Sequence, residues 1–235
     1  MDPDRLRVAL VAVPDRAWLI GALNRVAVEP RTIAGLYALA GRRCGTMALP
    51  QAPGWTADVA ARVLLLSVLP LRGRALAEVI ERLYRFGDVL ERLAALRALS
   101  MLDVGPAAVP LLVEACASHD PRLLAAALGR YSAYLDDAAW RRAVLRCVAT
   151  GVPLAAVHGL ETRADAELAR MLAAFVADRR LAGRHVPADA VALLHRLAAE
   201  HGTEAPPGEP ATPGRAQGPP GRAERTPPGR GGPVT

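Results

Sequence analysis

Between Gly151 and Met171 the chain reads GVPLAAVHGLETRADAELARM, which crowds His158, Glu161, Arg163, Asp165, Glu167 and Arg170 around one loop-to-helix junction. An imidazole, a carboxylate three positions on and a second carboxylate four further could hold a divalent cation or poise a general base, because both tasks need a lone pair flanked by groups that set its charge. The same residues have a plainer use. Thr162 and Asp165 stand at capping-box spacing, Glu167 and Arg170 are one helical turn apart, and His158 ends a short helix. A second cluster gathers Tyr131, Tyr134, Trp140, Arg141 and Arg142. Aromatic faces beside guanidinium groups can stack on a ring and clamp a phosphate, although the helical spacing of Trp140 suits a core position. His119 beside Asp120 resembles a catalytic dyad, yet Asp120 is required as the cap of the helix that Pro121 opens.

No glycine-rich phosphate loop occurs, nor a Gly-x-Ser-x-Gly elbow, a His-Glu-x-x-His helix or a paired-cysteine metal spacing. Large enzyme classes drop out on that ground, and no cofactor or metal is expected. Cys44, Cys116 and Cys147 are far apart and lie in apolar helical contexts, where a thiol behaves as a small hydrophobe, and they suggest a reducing compartment.

These residues must be held by helices. Asp15 precedes a run with Trp18, Leu19 and Leu23, and Pro30 opens a second run that Gly41 ends, followed by a loop over Arg42–Gly54. Thr56 reads as an N-cap with Asp58 in the first turn, and Pro70 closes that helix. Asp88 and Glu91 have capping-box spacing, Pro106 and Pro121 mark first turns, and Asp136 caps a helix that Gly151 and Pro153 end. The last two helices are expected over about 164–181 and 187–201. Starts near Asp88, Gly105, Asp120 and Asp136 recur every 15–17 residues, near the spacing of helical repeats. Period-2 alternation and hairpin dipeptides are missing, so the expected fold is all-α, an irregular HEAT-like stack of antiparallel helices. Asp137 and Arg141 read as an i,i+4 pair, Arg122 and Arg130 as one wet edge, and Trp140, Val144, Leu145 and Val148 as a buried side.

Of the 235 residues 52% are apolar and 4% aromatic, which suits one soluble domain over 1–202. All 29 basic residues are arginine and the formal net charge is +6, so an anionic partner is permitted without being demanded. From 203 to 235 prolines and glycines make up half of the chain, and four arginines face three glutamates. That segment is expected to be a disordered tail, since it has too little apolar surface to offset its ordering entropy. The apolar run Val8–Val13 is too short and its surroundings too acidic for an export signal, and Val63–Leu69 falls well short of a membrane span. A cytoplasmic location is expected.

The stretches WTADVAARVLLLSVL (Trp55–Leu69), LGRYSAYLDDAAWRRAVLRCVATGVPLAAVHGL (Leu128–Leu160) and TRADAELARMLAAFVADRRLAGRHVP (Thr162–Pro187) resemble the EboA family of small helical proteins from bacterial gene clusters. The likeness covers most of residues 10–200, with Arg163, Ala164, Asp165, Leu168 and Met171 among its best-matching positions. The resemblance implies a role in metabolite traffic beside a UbiA-like membrane prenyltransferase and enzymes similar to sugar-phosphate isomerases and dehydroquinate synthases. It supplies no catalytic residue. The expected function is therefore a non-enzymatic adaptor or metabolite-binding component. Its ligand- or partner-binding residues would be Tyr131, Tyr134, Arg141, Arg142, His158, Glu161, Arg163, Asp165 and Arg170. A nucleic-acid-binding arginine face and an enzyme using His158, Glu161 or Asp165 are the alternatives.

Overall fold

The computed structural model describes residues 2–201, so the expectation of a disordered tail over 203–235 lies outside the described residues. Aspartate begins the helices. Asp2, Asp15, Asp88, Asp120, Asp136 and Asp165 each precede a helix and accept a backbone N–H of its first turn, which satisfies a donor that no preceding carbonyl can reach. The helices they open are α1 (Pro3–Ala9), α2 (Arg16–Val28), α6 (Val89–Leu99), α8 (Pro121–Ala127), α9 (Asp137–Thr150) and α11 (Ala166–Leu181). Asp88 and Glu91 complete the capping box, at 2.8 Å and 3.0 Å. Between these lie α3 (Ile33–Cys44), α4 (Ala57–Ser67), α5 (Gly73–Phe86), α7 (Val109–Cys116), the single turn α10 (Leu160–Arg163) and finally α12 (Ala188–His201). The described residues form an all-α protein without a strand; one antiparallel bridge, Ala48 to Thr56, closes the loop between α3 and α4.

Helix α4 is the hub. Every residue from Ala57 to Leu66 is buried, and the helix is packed by α1, α2, α3 and α6. Helix α6 continues the interior, touching α4, α5 and α8, and α8 leads on to α9 and so to α11 and α12. The core is built almost wholly of leucine, alanine and valine, with Trp140, Tyr37, Tyr84 and Tyr131 as its larger members. So many alanines let helix axes approach closely, and the core gains its cohesion from dispersion contacts at near-crystalline density.

Several boundaries differ from the sequence expectation. Gly41 lies inside α3, which ends at Gly45 with φ at +73°. Thr56 occupies the N-cap of α4 without capping it, because its hydroxyl donates to Asp58 Oδ1 instead. Helix α8 stops at Ala127, which leaves Arg130 in a separate 3-10 turn, Arg130–Tyr134. Helix α5 had no cap signal to announce it, and its N-cap position is Arg72, which makes no capping bond.

Candidate functional site

The junction around α10 and the start of α11 does gather charged residues, but in crossed pairs. Arg141 grips Asp165 through both of its carboxylate oxygens, with Nε at 3.0 Å from Oδ1, whereas Asp137, expected to partner Arg141 within α9, accepts from Arg163 at 2.7 Å. Each bridge therefore joins α9 to the following segment rather than stiffening α9 alone. Asp165 also caps α11 through the N–H of Leu168 at 2.9 Å, so it, and not Thr162, opens that helix. The Arg141 guanidinium beside it holds its carboxyl below the usual carboxylate range. Arg163 donates further to the carbonyls of Ser132 and Leu135, at 3.0 and 2.9 Å, and lies 4.9 Å over the ring of Trp140.

Trp140 is fully buried and its indole Nε1 finds no hydrogen-bond partner among the described residues. An unmade bond of this kind costs about 1–3 kcal/mol, while burying a large aromatic side chain of roughly 150–250 Å² returns about 4–6 kcal/mol. Burial wins, and Trp140 is a core residue. Tyr131 is buried as well: its hydroxyl donates to the Gly105 carbonyl at 2.5 Å and accepts from the N–H of Ala108 at 3.0 Å, closing the 3-10 turn that precedes α7. Tyr134 packs its ring 5.0 Å from that of Tyr131 and is half exposed. Arg170 is held by Glu167, and Glu161 is held by Arg196 of α12. His158 is exposed and enters the structure through its backbone, donating to the Leu128 carbonyl at 2.8 Å. Of the three groups of the metal-or-base hypothesis, Glu161 and Asp165 are thus each held by a different arginine, and His158 is tied in through its backbone. Among the described residues, no group of three or more His, Cys, Asp or Glu is placed to hold a metal ion.

Arg142 has a different setting. It is exposed, without an ion-pair or hydrogen-bond partner among the described residues, and it lines a cavity of about 300 Å³ between α7 and α9. The other walls include Val113, Cys116, Leu135, Ala139 and Ala143. Arg146 lies at the same cavity, with its guanidinium turned to the Ser118 and Ala117 carbonyls at the end of α7, 3.1 and 2.8 Å away.

Sequence reasoning missed the most deeply buried charges. Asp58 and Arg62 in α4 are 0% and 3% exposed and bond at 2.7 Å. Arg62 also donates through Nε to the Tyr37 carbonyl at 3.1 Å and stands 3.7 Å from Glu91. The Tyr37 hydroxyl in turn donates to the Glu91 carbonyl at 2.8 Å, and burial pushes that phenol far above its ordinary value. Helices α3, α4 and α6 are pinned by one guanidinium that no solute can reach. The available signal was an Asp and an Arg four apart, the sole charges in an otherwise apolar helix.

A common use of arginine runs through the molecule. Arg62, Arg92, Arg97, Arg163 and Arg179 each lie over an aromatic ring, at 4.6–5.7 Å, and each also donates to a backbone carbonyl. A planar fork can do both at once, which an ammonium on a flexible stem cannot. These arginines act as staples between helices and loops.

By its architecture the chain is an all-α protein stapled by arginine, with cavities opening between its helices. It belongs to the EboA family: the family model described as "Metabolite traffic protein EboA" matches residues 45–195. That span takes in the buried Asp58–Arg62 pair and both crossed bridges around α10. No match to the chain was found among curated proteins or among solved structures. No helix among the described residues is long and apolar enough to cross a membrane.

Proposed function

We propose that this chain is a cytoplasmic, non-catalytic binding component of metabolite traffic, a HEAT-like helical adaptor that holds a small anionic metabolite or a protein that delivers or receives it. The observation that carries this reading is the uncommitted Arg142 at the α7–α9 cavity, in a family whose description names metabolite traffic. A cavity of about 300 Å³ is at the small end of the ligand-pocket range, roughly 300–1,000 Å³. Its leucine, valine and alanine walls would take the apolar part of a ligand and Arg142 its acidic group.

The remaining candidates fall into supporting and contacting roles. Arg141, Arg163, Asp165 and Arg170 make bonds that fix the frame of α9 and α11. Tyr131 holds the turn before α7, and Tyr134, directly before the cavity residue Leu135, offers an exposed ring. His158 and Glu161 border the same junction and would meet a protein partner, for which a cluster-encoded UbiA-like prenyltransferase or sugar-phosphate-isomerase-like enzyme is the proposed class. Calorimetry with a panel of sugar phosphates and a pull-down with the neighbouring gene products test the reading. Binding that weakens about tenfold in Arg142→Ala supports it. A null result in both experiments, or turnover of a panel compound by the isolated chain, overturns it.

A further inference from the structure

Most exposed arginines among the described residues are engaged with a carboxylate, as Arg74 with Glu78 and Arg122 with Asp120. Arg7 in the last turn of α1 and Arg16 at the first position of α2 are among the exceptions, as are Arg42, Arg82, Arg130, Arg142 and Arg184, and these first two stand out by sharing one cavity. Both are exposed and neither has a hydrogen-bond or ion-pair partner among the described residues; Asp15, next to Arg16, is taken by Arg43. The two line one cavity of about 300 Å³ between α1, α2 and the end of α4. Its walls are Leu10, Leu19, Leu23, Leu64 and Val68, with the half-exposed Ile20 at its lip and Asn24 as a further polar side chain.

Two guanidinium groups beside an apolar cleft define a recognisable chemistry. Each presents up to five N–H donors and a fixed charge, and apart from Asn24 the rest of the lining is aliphatic and suits an apolar tail. We infer that the α1–α2–α4 cleft is a binding site for a soluble amphiphilic anion, a molecule with one phosphate or carboxylate head and an aliphatic tail. The head sits between Arg7 and Arg16, where bidentate charge-assisted bonds are available, and the tail lies along Leu10, Leu19 and Leu23. A concave cleft favours a single tail over a bilayer, whose surface would need a flat or convex apolar face. This inference goes beyond the reading above: the cleft shares no residue with the α7–α9 cavity, and all but Leu64 and Val68 of its lining precede the residues that the family model matches.

Octyl phosphate, kept below its micelle concentration and titrated calorimetrically into the full chain, is the probe. The expected result is saturable one-to-one binding, with octanol and inorganic phosphate each at least about tenfold weaker, and a loss of about tenfold or more in Arg7→Ala/Arg16→Ala. Both positions are exposed, and an unchanged circular dichroism spectrum shows that the fold survives. Leu23→Arg, which puts a charge into the cleft, should abolish binding. Equal binding of octanol, equal binding of phosphate, or an unaffected double variant each overturns the inference. So does binding to phosphatidylglycerol vesicles without binding to octyl phosphate, which would make the cleft part of a membrane-facing surface. Arg142→Ala is the control. If it alone abolishes octyl phosphate binding, the amphiphile belongs to the α7–α9 cavity, and the cleft proposal fails while the earlier one stands.

Discussion

Asp58 and Arg62 sit four residues apart in a helix that carries no other charge, and burial makes them unlike a surface pair. On the surface such a bridge contributes little, but removing one member of a buried pair strands the other without water. Arg62→Ala is expected to lower the free energy of unfolding by about 3–5 kcal/mol, read from urea denaturation, whereas Arg74→Ala, which breaks the exposed pair with Glu78, should change it by less than about 1 kcal/mol. The thiols tell the same story of dry surroundings. Burial pushes the Cys44 thiol up to about 11 and that of Cys147 up to about 12, so little thiolate exists at neutral pH. Alkylation by iodoacetamide at pH 7.5 (roughly physiological) should leave both cysteines unmodified in the native chain and label them in urea. The apolar contexts of these cysteines were readable in the sequence, while of the buried pair only Asp58 was read, as an ordinary first-turn charge, and Arg62 was passed over. Sequence spacing does not reveal that a neighbouring helix covers both.

At the scale of elements, the caps were the legible part. Asp88, Asp120 and Asp136 open helices where their spacing placed them, because the cap bond is made within three residues and depends on nothing distant. Partnerships across elements were not legible: Asp137 turned to Arg163 and left Arg141 to Asp165, since α10 brings those side chains closer than one helical turn does. Helix α3 offers a direct test of such long-range constraint. Gly35 and Gly41 are both interior to it; a Cβ at Gly35 meets nothing within 4 Å, but at Gly41 it would stand 3.2 Å from Arg62 Nη2. Gly35→Ala should stabilise the protein by roughly 0.5–1 kcal/mol through helix propensity. Gly41→Ala should show no such gain, because the guanidinium it would press on is fixed by Asp58 and the Tyr37 carbonyl. Thermal midpoints of the two variants decide it.

At the scale of the whole molecule, arginine serves mainly as an internal connector, which bears on pH and salt. Asp120, Asp165 and Glu167 have carboxyls held below their ordinary range, in each case chiefly by hydrogen bonds from Arg122, Arg141 and Arg170. The folded state thus binds fewer protons than the unfolded one around pH 4. Their contribution is full above the unfolded values of roughly 4 and drains away as pH falls through the lower folded ones. Urea midpoints measured down the acid range should fall accordingly, and Asp165→Asn should lower the midpoint at neutral pH while flattening the acid slope. Pairing of most exposed arginines with their own acids also weakens the pull of the surface on a phosphate backbone. Retention on duplex DNA should be lost at about 0.15 M salt, and tight, steeply salt-dependent binding would restore the nucleic-acid alternative. The all-α class was legible in composition and periodicity; the cavities were not, because they lie between helices far apart in the chain.

Helix α4 has its first ten residues out of contact with solvent, sheathed by four other helices. Its amide protons can meet deuterium only when the sheath comes apart, so they should exchange last and at the rate of global opening. A peptide of this segment alone would have no wet face and would precipitate. During synthesis α4 leaves the ribosome after α1, α2 and α3 but before α6, so until α6 arrives the nascent chain carries its greasiest segment only partly wrapped, and that interval is when a chaperone has most to hold.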